Sequence, residues 1–142
     1  MKISTLAERD LVTVSLASST RDGAIHEIVE SLYARGKIQD QDEVLGKVLA
    51  REGNGTTVIG NGVAVPHARS ERLQRPLMYV AVSRQGIDFD GLDTKPVHLI
   101  FLLLTPVPAT GTHLKTLSRI ASLSQDPDVV RKLVESHSNE EL

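Results

Sequence analysis

Val97–Leu104 reads VHLIFLLL, apolar at every position except His98, and this run constrains the fold more than any other segment. A strand without a polar face must be covered on both sides, as a central strand of a layered sheet is. The run is far too short to cross a bilayer as a helix, which takes about 20 residues. Covering layers are therefore required, and helices on either side of the sheet are the simplest source.

The flanking sequence supplies them. Thr20–Arg35 places Ala24, Ile25, Ile28, Val29, Leu32 and Tyr33 at the paired spacing of an amphipathic helix. Ser19 or Thr20 can cap its start, and Gly36 stands where a helix ends. A second helix is expected from Asp40 or Gln41 to about Arg51, burying Val44, Leu45, Val48 and Leu49 before Gly53 and Gly55 break it. Beyond Pro106 and Pro108 the helical period returns with Leu114, Leu117, Ile120, Ala121 and Leu123. Asp126-Pro127 then reads as a cap followed by proline at the first helical position, opening a helix that buries Val129, Val130, Leu133 and Val134. Asn139–Leu142 reads as the beginning of another turn, which leaves open that the chain is one module of a longer polypeptide.

Between the helical ends, Thr56–Ile59, Gly62–Val65, Leu77–Ser83 and Val97–Thr105 are short, rich in β-formers and bounded by Gly or Pro. The pattern predicts an α/β or α+β domain over residues 1–142, without internal repeat or linker.

Composition narrows the function classes. With 16 Lys+Arg against 18 Asp+Glu the net charge is -2, so no bulk basic field attracts nucleic acid or anionic membranes. Trp is absent and Tyr33, Tyr79, Phe89 and Phe101 are the only other aromatics, too few for a base-stacking platform. The lack of cysteine excludes disulfides, thiolate metal sites and cysteine nucleophiles, and Met1–Asp10 has no apolar core of a secretory signal. A soluble cytoplasmic chain, not inserted in a membrane, is the expectation.

Gly60–Arg69, reading GNGVAVPHAR, is the segment that carries chemistry. The glycines and Asn61 allow a tight turn, and Pro66 stiffens the backbone from which His67 is presented. Histidine titrates near neutrality and serves as a nucleophile, so the residues alone leave His67 open between that role and a packed polar residue. Arg51, late in its helix, reads first as a cation at a helix C-terminus, and His113 as a residue of a capping region. His26 falls on a solvent face, His137 near an exposed end, and His98 reads as packed within its strand. Asp88, Asp90 and Asp93 lack the spacing of an EF-hand and read as a turn.

The sequence IGNGVAVPHAR (Ile59–Arg69) resembles the active-site signature of the fructose/mannitol-type EIIA domains of the bacterial phosphotransferase system. The similarity extends to Arg51-Glu52, to GIDFDGLD (Gly86–Asp93), to the strand ending at Thr105-Pro106 and to THLKTLSRIA (Thr112–Ala121). It implies a central mixed β-sheet of about four to five strands flanked by helices on both faces. It further implies that His67 accepts a phosphoryl group, that His113 stabilises the phosphate and that Arg51 binds it. No cofactor and no metal are then needed, since donor and acceptor are both proteins: an HPr-like phosphocarrier, and an EIIB domain or a regulatory target protein. The chain departs from the family in having Thr56-Thr57-Val58 where related sequences carry a Ser/Thr-Thr-Gly run, and the resemblance assigns no definite role to Arg69.

Three functions follow from these residues. One is a sugar-system carrier that passes phosphate to an EIIB cysteine. Another is a nitrogen-type regulatory EIIA whose phosphorylation state controls partner binding. The third, a metal-dependent hydrolase using His67 and His113, needs a further ligand, and the chain contains neither HxxxH nor HxH spacing.

Overall fold

The computed structural model describes residues 7–13, 16–54, 57–73, 75–89, 96–108 and 110–135, and the structural statements here concern those residues. In chain order the elements are β1 (Ala7–Thr13), α1 (Arg21–Ala34), α2 (Gln41–Gly53), β2 (Val58–Gly60), β3 (Val63–Ala64) and β4 (His67–Ser70). They continue with β5 (Leu77–Ile87), β6 (Val97–Pro106), α3 (Thr110–Ser124) and α4 (Pro127–Val134).

The helix ends obey local chemistry. Thr20 caps α1 by accepting from the Gly23 N–H, Asp40 caps α2 by accepting from that of Glu43, and Asp126 caps α4 with Pro127 at the first helical position. At the other end of α1, Gly36 takes a positive φ of 72°, and the N–H groups of Gly36 and Lys37 bond back to the carbonyls of Tyr33 and Leu32. Those two bonds satisfy carbonyls that the last turn would otherwise leave open.

The sheet is mixed and ordered β1-β5-β6-β3-β2, with β4 also paired to β6. β6, the apolar run, lies inside it, antiparallel to β5 and parallel to β3 and β4. Its two faces feed separate cores. Ile100, Leu102 and Leu104 join Leu77, Tyr79 and Ala81 of β5 beneath α1 and α2. Leu99, Phe101 and Leu103 join Met78, Val80 and Val82 beneath α3 and α4. This is the period-2 alternation of a strand buried on both sides.

The expected architecture holds, with differences of detail. β1, which the sequence reading did not assign, pairs in parallel with β5 at the sheet edge, a non-local contact that periodicity does not report. Leu114 is 60% exposed, and Tyr33 is also exposed, although both stood on the predicted apolar stripes. Asp90, Asp93, His137 and Asn139–Leu142 lie outside the described residues, while Asp88 makes an isolated bridge to Thr20.

The Asn61-Gly62 turn between β2 and β3 has both residues at positive φ, 52° and 73°, as a two-residue hairpin turn requires. Asn61 Nδ2 donates to the Ser124 carbonyl at 2.6 Å, tying the turn to the end of α3. The Gly62 carbonyl accepts from His98 and Leu99 N–H, and a Cβ at Gly62 would stand 3.1 Å from the Pro96 carbonyl oxygen. Gly62→Ala is therefore expected to cost about 1–2 kcal/mol from the left-handed conformation alone. A urea denaturation midpoint equal to wild type would refute this.

Candidate functional site

β3 and β4 pair with β6 in one continuous parallel register, from Val63 opposite Leu99 to Ser70 opposite Pro106. Pro66 divides them: it has no N–H to donate, although its carbonyl still accepts from Leu103 N–H at 2.9 Å. His67 therefore opens β4 rather than closing β3, opposite Leu103 and half-buried. Its Nδ1 lies 2.8 Å from the Val65 carbonyl oxygen.

Arg51 comes from the last turn of α2 and His113 from the first turn of α3, where it is buried. The two histidine rings stand 5.3 Å apart, centroid to centroid, and tilted by 60°. His67, His113 and Arg51 share a cleft of about 470 Å³ that Lys47, Ala50, Asn54, Ala68 and Arg69 also line. The three sequence candidates are thus brought together. Three of the described lining residues are cations, Lys47, Arg51 and Arg69, and none is a carboxylate, so the cleft favours an anion. Arg69 donates to the Val107 carbonyl. Glu52, next to Arg51 in sequence, turns the other way into the core, where Thr57 donates to it. Val58, where the chain departs from the signature, packs partly buried against the core and is not among the cleft lining.

The sequence reading did not single out Lys47, Asn54 or Thr105. Thr105 is fully buried with Oγ1 2.8 Å from His113 Nδ1. Its one sequence signal is a hydroxyl at the end of a strand that is apolar apart from His98. Of the other histidines, His26 is exposed beside Glu30, and His98 is half-buried with Nδ1 2.8 Å from the Ser83 carbonyl. Among the described residues no group of three His, Cys, Asp or Glu converges as a metal site. A larger cleft, of about 530 Å³, lies beside the start of α2, and there Arg72 pairs with Asp40 at 3.1 Å and with Glu43 at 3.6 Å.

Burial, and then the positive charges of His67 and Arg69, push the His113 imidazole down to about 4 from its ordinary 6.5. Unfolded His113 therefore binds its proton more readily than folded His113 across that interval. The stability present above about pH 6.5 is lost as pH falls toward 4, on the order of 2–3 kcal/mol at 1.36 kcal/mol per unit. Denaturant titrations of wild type and His113→Gln at pH 7.5 and 4.5 isolate this contribution. Wild type should lose the larger share, and equal losses would remove His113 from the account.

The sequence matches the family described as "Phosphoenolpyruvate-dependent sugar phosphotransferase system, EIIA 2" over residues 5–142. The chain belongs to this EIIA family. It is 35% identical over 138 residues to the "PTS system fructose-specific EIIA component" of Haloferax volcanii, covering 97% of this chain and 90% of that one. The crystal structure of nitrogen regulatory protein IIA-Ntr from Neisseria meningitidis superposes with a TM-score of 0.90 at 30% identity, over 98% of this chain and 94% of the other. The mannitol IIA in complex with phosphorylated mannitol IIB from Escherichia coli shares the fold, with a TM-score of 0.81 at 19% identity over 95% and 92% of the two chains. The layered α/β architecture is thus that of EIIA domains. No helix among the described residues is long and apolar enough to cross a membrane.

Proposed function

We propose that this EIIA domain, residues 1–142, is a cytoplasmic phosphoryl carrier that takes a phosphoryl group onto His67 and passes it to a cysteine of an EIIB domain. The observation that carries this reading is the Nδ1 contact of His67. A carbonyl oxygen only accepts, so at 2.8 Å from Val65 the Nδ1 atom carries the ring proton. In the neutral ring the lone pair then resides on Nε2, which is the attacking atom.

In the first step Nε2 forms a bond to phosphorus while the N–P bond of the donor, an HPr-like phosphohistidine protein, breaks and returns its electron pair to the donor ring. In the second step a thiolate attacks phosphorus, and the electron pair of the breaking N–P bond returns to Nε2 of His67. Neither step consumes a nucleotide or requires a metal or cofactor. What the domain contributes is positioning and charge neutralisation, the main demands of phosphoryl transfer. Arg51 offers a planar fork for the phosphoryl oxygens, with Lys47 and Arg69 adding positive charge to the same cleft. His113 supplies a ring N–H, and the first turn of α3 adds helix N-terminal polarity.

The likeness to a nitrogen regulatory IIA-Ntr supports a second reading on the same chemistry. There the doubly charged phosphohistidine would change which protein the domain binds, without onward transfer. One experiment addresses both. The chain is incubated with phosphoenolpyruvate, enzyme I and HPr, and acid-labile label is followed before and after addition of an EIIB domain. Label that leaves for EIIB supports the carrier. Label that stays and switches binding to another protein supports the regulator, and no label at all overturns both.

A further inference from the structure

His67 and His113 face one cleft, yet their Nδ1 atoms meet partners of different character. The partner of His67 is the Val65 carbonyl, an acceptor only. The partner of His113 is the Thr105 hydroxyl at 2.8 Å, on a side chain with 0% exposure. A buried hydroxyl proton must find an acceptor. Among the described residues His113 Nδ1 is the hydrogen-bond partner of Thr105 Oγ1, so the hydroxyl donates to it. The opposite assignment, with Nδ1–H donating to Oγ1, would strand the hydroxyl proton in the interior of the sheet. An Nδ1 that accepts carries no hydrogen, so neutral His113 holds its proton on Nε2.

We propose that Thr105 is a positioning residue for phosphoryl transfer, its hydroxyl fixing His113 as the Nε2–H tautomer while Val65 fixes His67 as the Nδ1–H tautomer. The two rings are then complementary. One presents a lone pair to phosphorus, and the other presents an N–H to a phosphoryl oxygen. Because that donor exists in the uncharged ring, His113 can assist without first taking up a proton. Its low proton affinity follows first from burial, and then from repulsion by Arg69 and by the charge that a second proton would place on His67. Lys47 and Arg51 complete the charged lining. Thr105 lies at the end of β6, opposite Arg69 of β4, so the strand that carries the hydroxyl also pairs with the strand that carries His67. The catalytic part of the proposal rests on His67 being the phosphoryl acceptor; the tautomer assignment does not.

The test begins with the unphosphorylated full chain at pH 7.5, using long-range nitrogen–proton correlations of the imidazole rings. His113 should show the Nε2–H pattern and His67 the Nδ1–H pattern. Thr105→Val, a near isostere without the hydroxyl, should abolish the pure Nε2–H pattern of His113. It should also lower kcat for phosphoryl uptake from phospho-HPr by about ten- to a hundredfold, the usual cost of losing a group that orients a functional ligand. KM for the donor should be unchanged, because the substitution is buried beneath the cleft. Thr105→Ser should restore both the pattern and kcat. An Nδ1–H pattern for His113 in the wild type overturns the proposal, and so does wild-type kcat in a folded Thr105→Val variant. Should that variant not fold, the wild-type tautomer measurement decides. If wild type takes no label, the carrier reading fails separately, since the ring correlations are read without any phosphate.

Discussion

His67→Gln is expected to yield a folded domain that takes up no acid-labile phosphate from phosphoenolpyruvate, enzyme I and HPr. The amide is close to imidazole in reach but has no nucleophilic lone pair on nitrogen, so no N–P bond can form. The structural cost is small. His67 is half-buried at the start of β4, and the backbone pairing of Ala68, Arg69 and Ser70 with β6 does not depend on its side chain. Stability should stay within about 1 kcal/mol of wild type by denaturant titration, which separates loss of chemistry from loss of fold. Label on His67→Gln at the wild-type level would refute the assignment. It would also point to His113, the other ring in the cleft.

Arg51 gives the second large effect, and the expected result distinguishes two physical roles. Lying in the last turn of α2, it complements the negative end of that helix, a contribution of about 0.3–1 kcal/mol to stability. In the proposed role of phosphate ligand it would be worth far more to the reaction, because a preorganised donor at developing charge typically contributes about 10²–10³ in rate. Arg51→Met should therefore lower phosphoryl uptake by roughly two to three orders of magnitude while moving stability by no more than about 1 kcal/mol. Arg51→Lys keeps the helix-terminal charge but replaces the fork with a point charge, so it should restore stability fully and the rate only in part. Single-turnover uptake from phospho-HPr together with urea titration reads both quantities. A rate loss no greater than the stability loss predicts would assign Arg51 to the helix end alone.

The local features of this chain were legible because their causes are local. Thr20, Asp40 and Asp126 cap their helices through contacts within three residues, and Gly36 ends α1 for want of a Cβ in the left-handed region. The apolar run of β6 was legible as a strand covered on both faces for the same reason that it is one. α3 shows where hydrophobic periodicity misleads. Its buried side runs through His113, Thr116, Ile120 and Ser124, three of them polar, while Leu114 lies a hundred degrees around the helix and is exposed. A reading that scores apolar residues selects Leu114 and passes over the polar positions that the fold buries. β1 was missed because its pairing with β5 spans most of the first half of the chain.

By itself, then, the sequence determined the helix boundaries, the central strand and, through its resemblance to EIIA domains, the three residues to examine. The tertiary structure decided that Arg51, His67 and His113, from α2, β4 and α3, line a single anion-favouring cleft. It also decided the hydrogen-bond partners of the two rings. Those partners depend on which groups packing leaves within reach and which it seals from water. Val65 lies two residues from its histidine, and Thr105 lies eight residues from His113, across the turn from β6 into α3. Proton placement on an imidazole follows from such contacts, so the chemistry of His67 becomes specific only once the chain has folded.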